Sequence, residues 1–341
     1  MQYPWLSFLE KQYPFSIKLE SIQAFGDGHI HHTYLVDTSM GKMILQKFNN
    51  KVFTAPEKIS HNHLIMLRKI NRKELPFELP LPIPNKRGEV FSKLEDGIFR
   101  FSPFVQGACV NEVQEPQHAF LASKAFSQLI DAGKHIRGAD LKEVIPGFND
   151  LSLRYHQLLT AVEKSKRVLN VELKELIDFY LGREDLVKEY KAWAAKLPLR
   201  LTHNDTKINN LIFSGDLSTV KAVIDLDTIM AGFAFYDFGD LVRTVACTEH
   251  EHSTAWEKIS VDKSKYEALY QGFCDGGSAF LTKDEIASLH FGGKMMTCIM
   301  GFRFLADYLN GNIYYQIKYE AQNFHRAKNH MYLLNALDQI N

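Results

Sequence analysis

The sequence predicts an α+β protein of two lobes, a small β-rich lobe followed by a larger, mainly helical one. Three observations predict it. Strand signals crowd the first hundred or so residues around a single helix signal. From Glu115 onward apolar residues recur at helical spacing instead. The chain, at 341 residues, is also longer than one ordinary core organises. The boundary is placed at Gln106-Gly107, which gives an N-lobe of residues 1–105 and a C-lobe of residues 106–341.

The N-lobe elements follow in order. Ser16–Phe25, Thr33–Val36 and Lys42–Phe48 read as strands, with Ser39-Met40-Gly41 turning between the last two. Thr54-Ala55-Pro56-Glu57 reads as a helix start: a capping hydroxyl, a proline in the first turn, then an acid. That helix runs to about Asn71 and is followed by a connector stiffened by Pro76, Pro80, Pro82 and Pro84. Glu89–Leu94 and Ile98–Val105 then flank the hairpin signal Glu95-Asp96-Gly97. In the C-lobe, Phe126, Leu129, Ile130 and Gly133 share one helix face, as do Phe324, Ala327, Met331 and Leu334. Both stripes read as core.

Composition excludes several classes. Lysine plus arginine equals aspartate plus glutamate at 40 each, so neither nucleic acid nor an anionic membrane is an expected partner. Cys109, Cys247, Cys274 and Cys298 form no C-x-x-C pair, which speaks against a zinc or redox motif and suits a reducing cytoplasm. The N-terminus lacks a signal-peptide pattern, and no stretch approaches about 18 apolar residues. A cytoplasmic monomer or weak homodimer is expected.

The chemistry concentrates in His203-Asn204-Asp205-Thr206-Lys207-Ile208-Asn209-Asn210, followed by Val223-Ile224-Asp225-Leu226-Asp227. H-x-D-x-x-x-x-N, a short strand pair and then an isolated aspartate is the spacing of a phosphoryl-transfer catalytic loop and its metal-binding carboxylate. Phosphoryl transfer needs positioning, charge neutralisation and a place for the acceptor's proton. Asp205 is placed to take that proton. Asn210 and Asp225 offer the amide and carboxylate oxygens that Mg²⁺ prefers. Asp227 points the same way only if the segment stays extended. Asp237-Phe238-Gly239 spells the D-F-G of protein kinases but lies too far from Asn210 for a strand pair, so Asp237 reads as a structural brace for the loop. Asp240 and Arg243 read as a local ion pair of small value.

In the N-lobe, Gly26 and Gly28 sit at a strand turn where backbone N–H groups can approach phosphates. Lys47 lies on the third strand, where a lysine pairs with nucleotide phosphates, and Glu57 is its candidate partner. Arg100–Val105, with Phe101 and Phe104, is the expected hinge whose backbone binds adenine. Among His29, His31 and His32 a metal site lacks carboxylate support, and His31 or His32 reads as an acceptor contact. Tyr308, Asn310, Asn312, Tyr314 and Tyr315 suit polyol hydrogen bonding with a stacking face. Glu249, Glu251, Asp262 and Glu267 leave open an acidic pocket for a polyamine such as an aminoglycoside.

These residues resemble the aminoglycoside phosphotransferase and choline kinase superfamily. The longer strings, Leu201–Asn210, Ile224–Thr228, Tyr236–Asp240, Gly28-His29-Ile30, Ile44–Lys47 and Arg303–Gly311, are most similar to the bacterial N-acetylhexosamine 1-kinases. The resemblance implies a bilobal protein-kinase-like fold, use of ATP and Mg²⁺, and phosphorylation of the anomeric hydroxyl of a free N-acetylated hexosamine. It implies Asp205 as base, Asn210 and Asp225 as metal ligands, and Arg303 and Asp307 at the sugar pocket. Asn204 stands where the wider superfamily commonly has glycine. Kinases of the same fold acting on choline, ethanolamine, homoserine, a ketosamine or an aminoglycoside are the alternatives.

Overall fold

The computed structural model describes residues 3, 5–26, 31–50 and 53–340. The chain opens with helix α1 (Leu6–Gln12), which had no sequence signal, and then builds a five-stranded antiparallel sheet in the order β1-β2-β3-β5-β4. Its strands are β1 (Gln23–Ala24), β2 (His32–Thr38), β3 (Gly41–Phe48), β4 (Ser92–Leu94) and β5 (Gly97–Pro103). The β2–β3 turn closes where expected. Thr38 Oγ1 donates to the Gly41 carbonyl (2.8 Å) and accepts from the Met40 amide (3.1 Å), and Gly41 takes φ +103°. The expected strand Ser16–Phe25 is broken instead. Ile17 makes one bridge to Thr38, Leu19–Ser21 forms a 3-10 turn, and only β1 joins the sheet. The Ser21 hydroxyl causes the break: it donates to the Lys18 carbonyl (2.7 Å) and accepts from the Asp37 amide (2.8 Å), displacing ladder bonds.

Helix α2 (Pro56–Lys69) begins without a side-chain cap: Ala55, not Thr54, occupies the capping position, and Pro56 supplies the pre-set first turn. The N-lobe core packs Leu6, Leu9, Tyr13 and Phe15 against Val36, Met43, Leu45, Phe99 and Phe101. The apolar clusters do not divide at residue 105. Met66, Ile70, Phe77, Leu79 and Leu81 belong to the C-lobe core. The reason is backbone pairing. Glu78 bonds both ways with β8 (Val220–Val223), and Ala108 bonds both ways with β7 (Leu211–Phe213) at 2.9 Å. Chain on both sides of the β4–β5 hairpin is thus sewn to the hairpin that follows the candidate catalytic loop.

The C-lobe comprises α3 (Pro116–Ala132), α4 (Leu151–Lys164), α5 (Val171–Leu181), α6 (Glu184–Lys196), α7 (Ala234–Leu241), α8 (Lys263–Gly276), α9 (Lys283–Leu309) and α10 (Gln322–Leu337). Two short antiparallel pairs, β7–β8 and β6 (Arg200–Thr202) with β9 (Met230–Gly232), carry the site loops. Helix α9 is the central post, started by a reciprocal Thr282–Glu285 capping box. Helix α7 lies so close to it at Gly239 and Gly292 that a Cβ on either would strike backbone. Among the described residues no helix is long and apolar enough to cross a membrane.

One buried group on α10 sets a pH dependence. His330 packs on Phe304, its Nδ1 donates to the Arg326 carbonyl (2.9 Å), and among the described residues its buried Nε2 has no partner. Burial pushes its pKa down to about 4. A histidine with a depressed folded pKa contributes stability that is present above its unfolded value near 6.5 and lost as pH falls from there toward 4. The unfolding midpoint of the wild type should therefore fall faster across that window than the midpoint of His330→Gln. Parallel profiles would refute the assignment.

Candidate active site

The loop from His203 to Asn210 leaves β6, closes in a 3-10 turn at Ile208–Asn210 and enters β7. Helix α7 braces it from beneath. Asp237 Oδ2 accepts the His203 amide and Oδ1 the Asn204 amide, both at 2.8 Å, while its carbonyl accepts the Thr206 hydroxyl (2.7 Å). Burial pushes the Asp237 pKa up to about 6, against the His203 ring and these two amides, which pull it down. Asn204 takes φ +65°, a region that admits asparagine and glycine most readily, which explains why asparagine can replace glycine here. Its side chain donates to the Thr202 and Thr228 carbonyls and accepts from Asn149 (3.2 Å). The Asp240–Arg243 pair is buried rather than superficial. Asp240 Oδ2 accepts the Thr206 amide (2.9 Å), and Arg243 also reaches Glu251 (3.3 Å). Three α7 groups thus fix the loop on either side of Asp205.

Asp205 is gripped at both oxygens. Lys207 Nζ lies 3.0 Å from Oδ1, and Asn210 Nδ2 donates to Oδ2 (3.2 Å) and to the Asp205 carbonyl (2.8 Å). Burial raises the Asp205 pKa, but the Lys207 ammonium and the hydrogen bonds from Lys207 and Asn210 outweigh it, so the carboxyl sits below its ordinary range. Because the Asn210 nitrogen is used inward, its Oδ1 is the group left to face a cation. The Asn210 carbonyl accepts the Ile224 amide (2.9 Å), which delivers Asp225 beside it. Asp225 is solvent-accessible yet ringed by protein. Crowding, then the charges of Asp227 and Asp205, push its pKa up to about 6. A cation bound there would relieve that repulsion. Among the described residues no three histidine, cysteine or acidic side chains cluster as a metal cage. An amide and one carboxylate suit Mg²⁺ that takes its other ligands from phosphates and water.

Asp227 departs from the extended expectation. Asp225 turns left-handed (φ 57°, ψ 56°), Leu226–Thr228 forms a 3-10 turn, and Asp227 faces the N-lobe. Its carboxylate pairs with both terminal nitrogens of Arg100 and accepts from His31 Nε2 (3.0 Å), with His63 Nε2 at 3.8 Å. His31 Nδ1 accepts the Asn49 amide (3.0 Å), and its ring stacks on Phe48 and Phe53. Both His31 nitrogens are therefore engaged inside the protein, contrary to an acceptor contact. Sequence reading missed Arg100 and His63 because nothing local marks a partner so far along the chain.

The other expected residues fall as follows. Gly26 takes φ +73° and is exposed; Gly28 and His29 lie outside the described residues. Lys47 departs from the phosphate-pairing expectation: on β3 it alternates to the face opposite Gln46, its ammonium lies 5.8 Å from the buried Phe99 ring on the α1 side, and among the described residues no ion pair joins it to Glu57. Phe101 points into the N-lobe core between Tyr13 and Phe15, so only its backbone can serve a hinge. Phe104 is half-buried and meets the Phe25 ring edge-on at 5.6 Å. Asp307 is a loop anchor rather than a pocket wall: it accepts the Tyr314 and Tyr315 amides (2.8 and 3.0 Å) and Asn323 Nδ2 (2.9 Å). The Tyr308 ring lies under Arg167 at 3.9 Å, and its carbonyl accepts from Arg167. Arg303 differs. It lies over Phe148 (5.2 Å), Tyr315 (5.5 Å) and Tyr314 (5.8 Å). Phe148 adjoins Asn149, which bonds Asn204 beside Asp205. Among the described residues neither Arg303 nor neighbouring Arg154 makes an ion pair, and Asp150 acts on Arg154 only through its charge at a distance. The acids that could have made an acidic pocket are mostly spent: Glu251 on Arg243 and Arg326, Glu249 on Ser253, Asp262 capping α8.

A five-stranded sheet over a helical lobe, with a braced H-x-D loop between them, defines a kinase-like phosphotransferase fold. The structure resembles the aminoglycoside phosphotransferase of Alicyclobacillus acidocaldarius (TM-score 0.62, 15% identity, covering 96% of this chain and 94% of that one). It also resembles an ethanolamine kinase of Plasmodium vivax (TM-score 0.58, 13% identity, covering 96% and 86%). A microcompartment-associated aminopropanol kinase is similar as well (TM-score 0.56, 16% identity, covering 95% of each chain). The chain belongs to the phosphotransferase enzyme family (APH), whose pattern matches residues 21–263.

Proposed function

We propose that the protein is an ATP- and Mg²⁺-dependent kinase that phosphorylates the anomeric hydroxyl of an N-acetylhexosamine, N-acetylglucosamine or N-acetylgalactosamine, to give the sugar 1-phosphate. The observation that carries the acceptor class is the charge of its wall. Arg303, unpaired with any described acid and framed by Phe148, Tyr314 and Tyr315, repels an ammonium group and suits hydroxyl and acetamido oxygens with a ring to stack. Relatives of this fold bear the names of kinases for aminopropanol and ethanolamine, and such cationic acceptors fit that wall poorly.

Asp205 accepts the hydrogen bond of the attacking hydroxyl, and its low pKa means that it takes the proton late, as the new P–O bond forms. Asn210 Oδ1 and Asp225 hold Mg²⁺, which when bound neutralises charge on the transferred phosphoryl group. The backbone at Phe101–Phe104 receives the adenine.

The test is an ADP-release screen with Mg-ATP over N-acetylhexosamines, choline, ethanolamine, homoserine, a ketosamine and aminoglycosides. Turnover of an N-acetylhexosamine, with loss of its reducing end, is expected; preference for a cationic amino alcohol would refute the acceptor assignment. Arg303→Ala should raise the acceptor KM about tenfold to a hundredfold, the worth of one charged hydrogen bond, and leave the ATP KM unchanged.

A further inference from the structure

Asp225 holds its carboxylate out from a left-handed residue, a conformation that a non-glycine residue keeps only where neighbours over-determine it. Before it, the Ile224 amide is bonded to the Asn210 carbonyl. After it, the Thr228 hydroxyl donates to the His203 carbonyl (2.8 Å), His63 Nε2 donates to the Leu226 carbonyl (3.0 Å), and the Asp227 carboxylate is held by donors from the other lobe. Arg100 stands on β5 and His31 at the entrance to β2. The guanidinium is itself oriented. Its Nε donates to Gln46 Oε1 on β3 (2.8 Å), and it lies 5.6 Å from the ring centres of both Phe48 and Phe91. A planar fork on both oxygens fixes the rotation of a carboxylate, whereas a single ammonium fixes only one contact.

We propose that Arg100, backed by Gln46, is a positioning residue for the metal-ligand turn: by locking Asp227 it holds Asp225 in the orientation that presents its carboxylate to a divalent cation. The inference rests on the assignment of Asn210 and Asp225 as metal ligands. Outer partners of this kind orient first ligands, and their loss typically costs about 10–100-fold in metal affinity. A mere tie between lobes would instead alter the melting temperature alone.

The two roles separate in a direct binding measurement. Mn²⁺ is titrated by electron paramagnetic resonance into the full chain with a non-hydrolysable ATP analogue, beside metal-free analogue affinity and melting temperature, for wild type, Arg100→Lys and Gln46→Leu. Arg100→Lys should weaken Mn²⁺ binding by about 10–100-fold and Gln46→Leu by less, with metal-free nucleotide affinity unchanged. Wild-type Mn²⁺ affinity in both variants, with or without a lower melting temperature, overturns the positioning role. If Arg100→Lys does not fold, Gln46→Leu, at a half-buried position, decides alone by the same criterion. A wild-type chain that binds nucleotide but no Mn²⁺ would instead overturn the assignment of the metal ligands.

Discussion

Asp205→Asn is expected to lower kcat by a factor of about 10²–10⁴, the usual contribution of a positioned general base, with little change in melting temperature. The size follows from what the amide removes. Asparagine keeps the outline of the side chain and its Oδ1, so the loop braced by Asp237 and Asp240 has no cause to move. It cannot accept the acceptor's proton, and it loses the Lys207 ion pair at 3.0 Å. That pair also predicts how the wild type behaves. Lys207 and Asn210 hold the carboxyl ionised well below neutrality, so the loss in the variant should be the same at pH 6 and pH 8. Steady-state kinetics on the acceptor found in the screen, beside a thermal melt, would check both points. A variant with wild-type kcat would remove Asp205 from the reaction.

Asp237→Ala should be the most damaging change outside the reacting groups. Two buried amides, those of His203 and Asn204, lose their acceptor together. At about 1–3 kcal/mol for each orphaned donor, the loss amounts to about 2–6 kcal/mol of stability. Two opposing effects set where in that range it falls. Removing the carboxyl also removes a buried charge, whose raised pKa of about 6 records the strain of burying it. The left-handed Asn204 has further restraints in Thr202, Thr228 and Asn149, so the loop should distort rather than dissolve. The expected outcome is a large fall in denaturation midpoint together with a fall in kcat, because Asp205 follows directly on the distorted residue. Asp237→Asn, which can satisfy one amide but sets an N–H against the other, should fall between. Full kcat in Asp237→Ala would mean that α7 does not determine where the catalytic loop sits.

The D-F-G string shows how a motif can mislead and spacing correct it. Asp237, Phe238 and Gly239 all lie on α7: the first braces the loop, the second fills the core, and the third lets α7 meet α9. Chain distance from Asn210 had already marked this reading. The expected strand Ser16–Phe25 failed for a different reason, since hydrophobic alternation does not register a serine that bonds backbone more favourably than a neighbouring strand does.

What the sequence by itself determined is the local chemistry: a loop, a strand pair and a carboxylate, separated by spacings that leave the backbone one short route, so that Asp205, Asn210 and Asp225 meet whatever surrounds them. The hairpins of the small lobe are legible for the same reason, because their partners are a turn apart. Only the tertiary structure decided the rest. Arg100 and His31 reach Asp227 across 127 and 196 residues, and a 3-10 turn in place of a strand chose the direction in which Asp227 points. Among the described residues Arg303 is left without an ion pair, while Glu251 and Asp262 are spent on Arg243, Arg326 and a helix cap. Spacing along a chain reports which groups can meet locally; which charges are left unpaired in a cleft depends on how distant elements pack, and that balance is set only when the lobes come together.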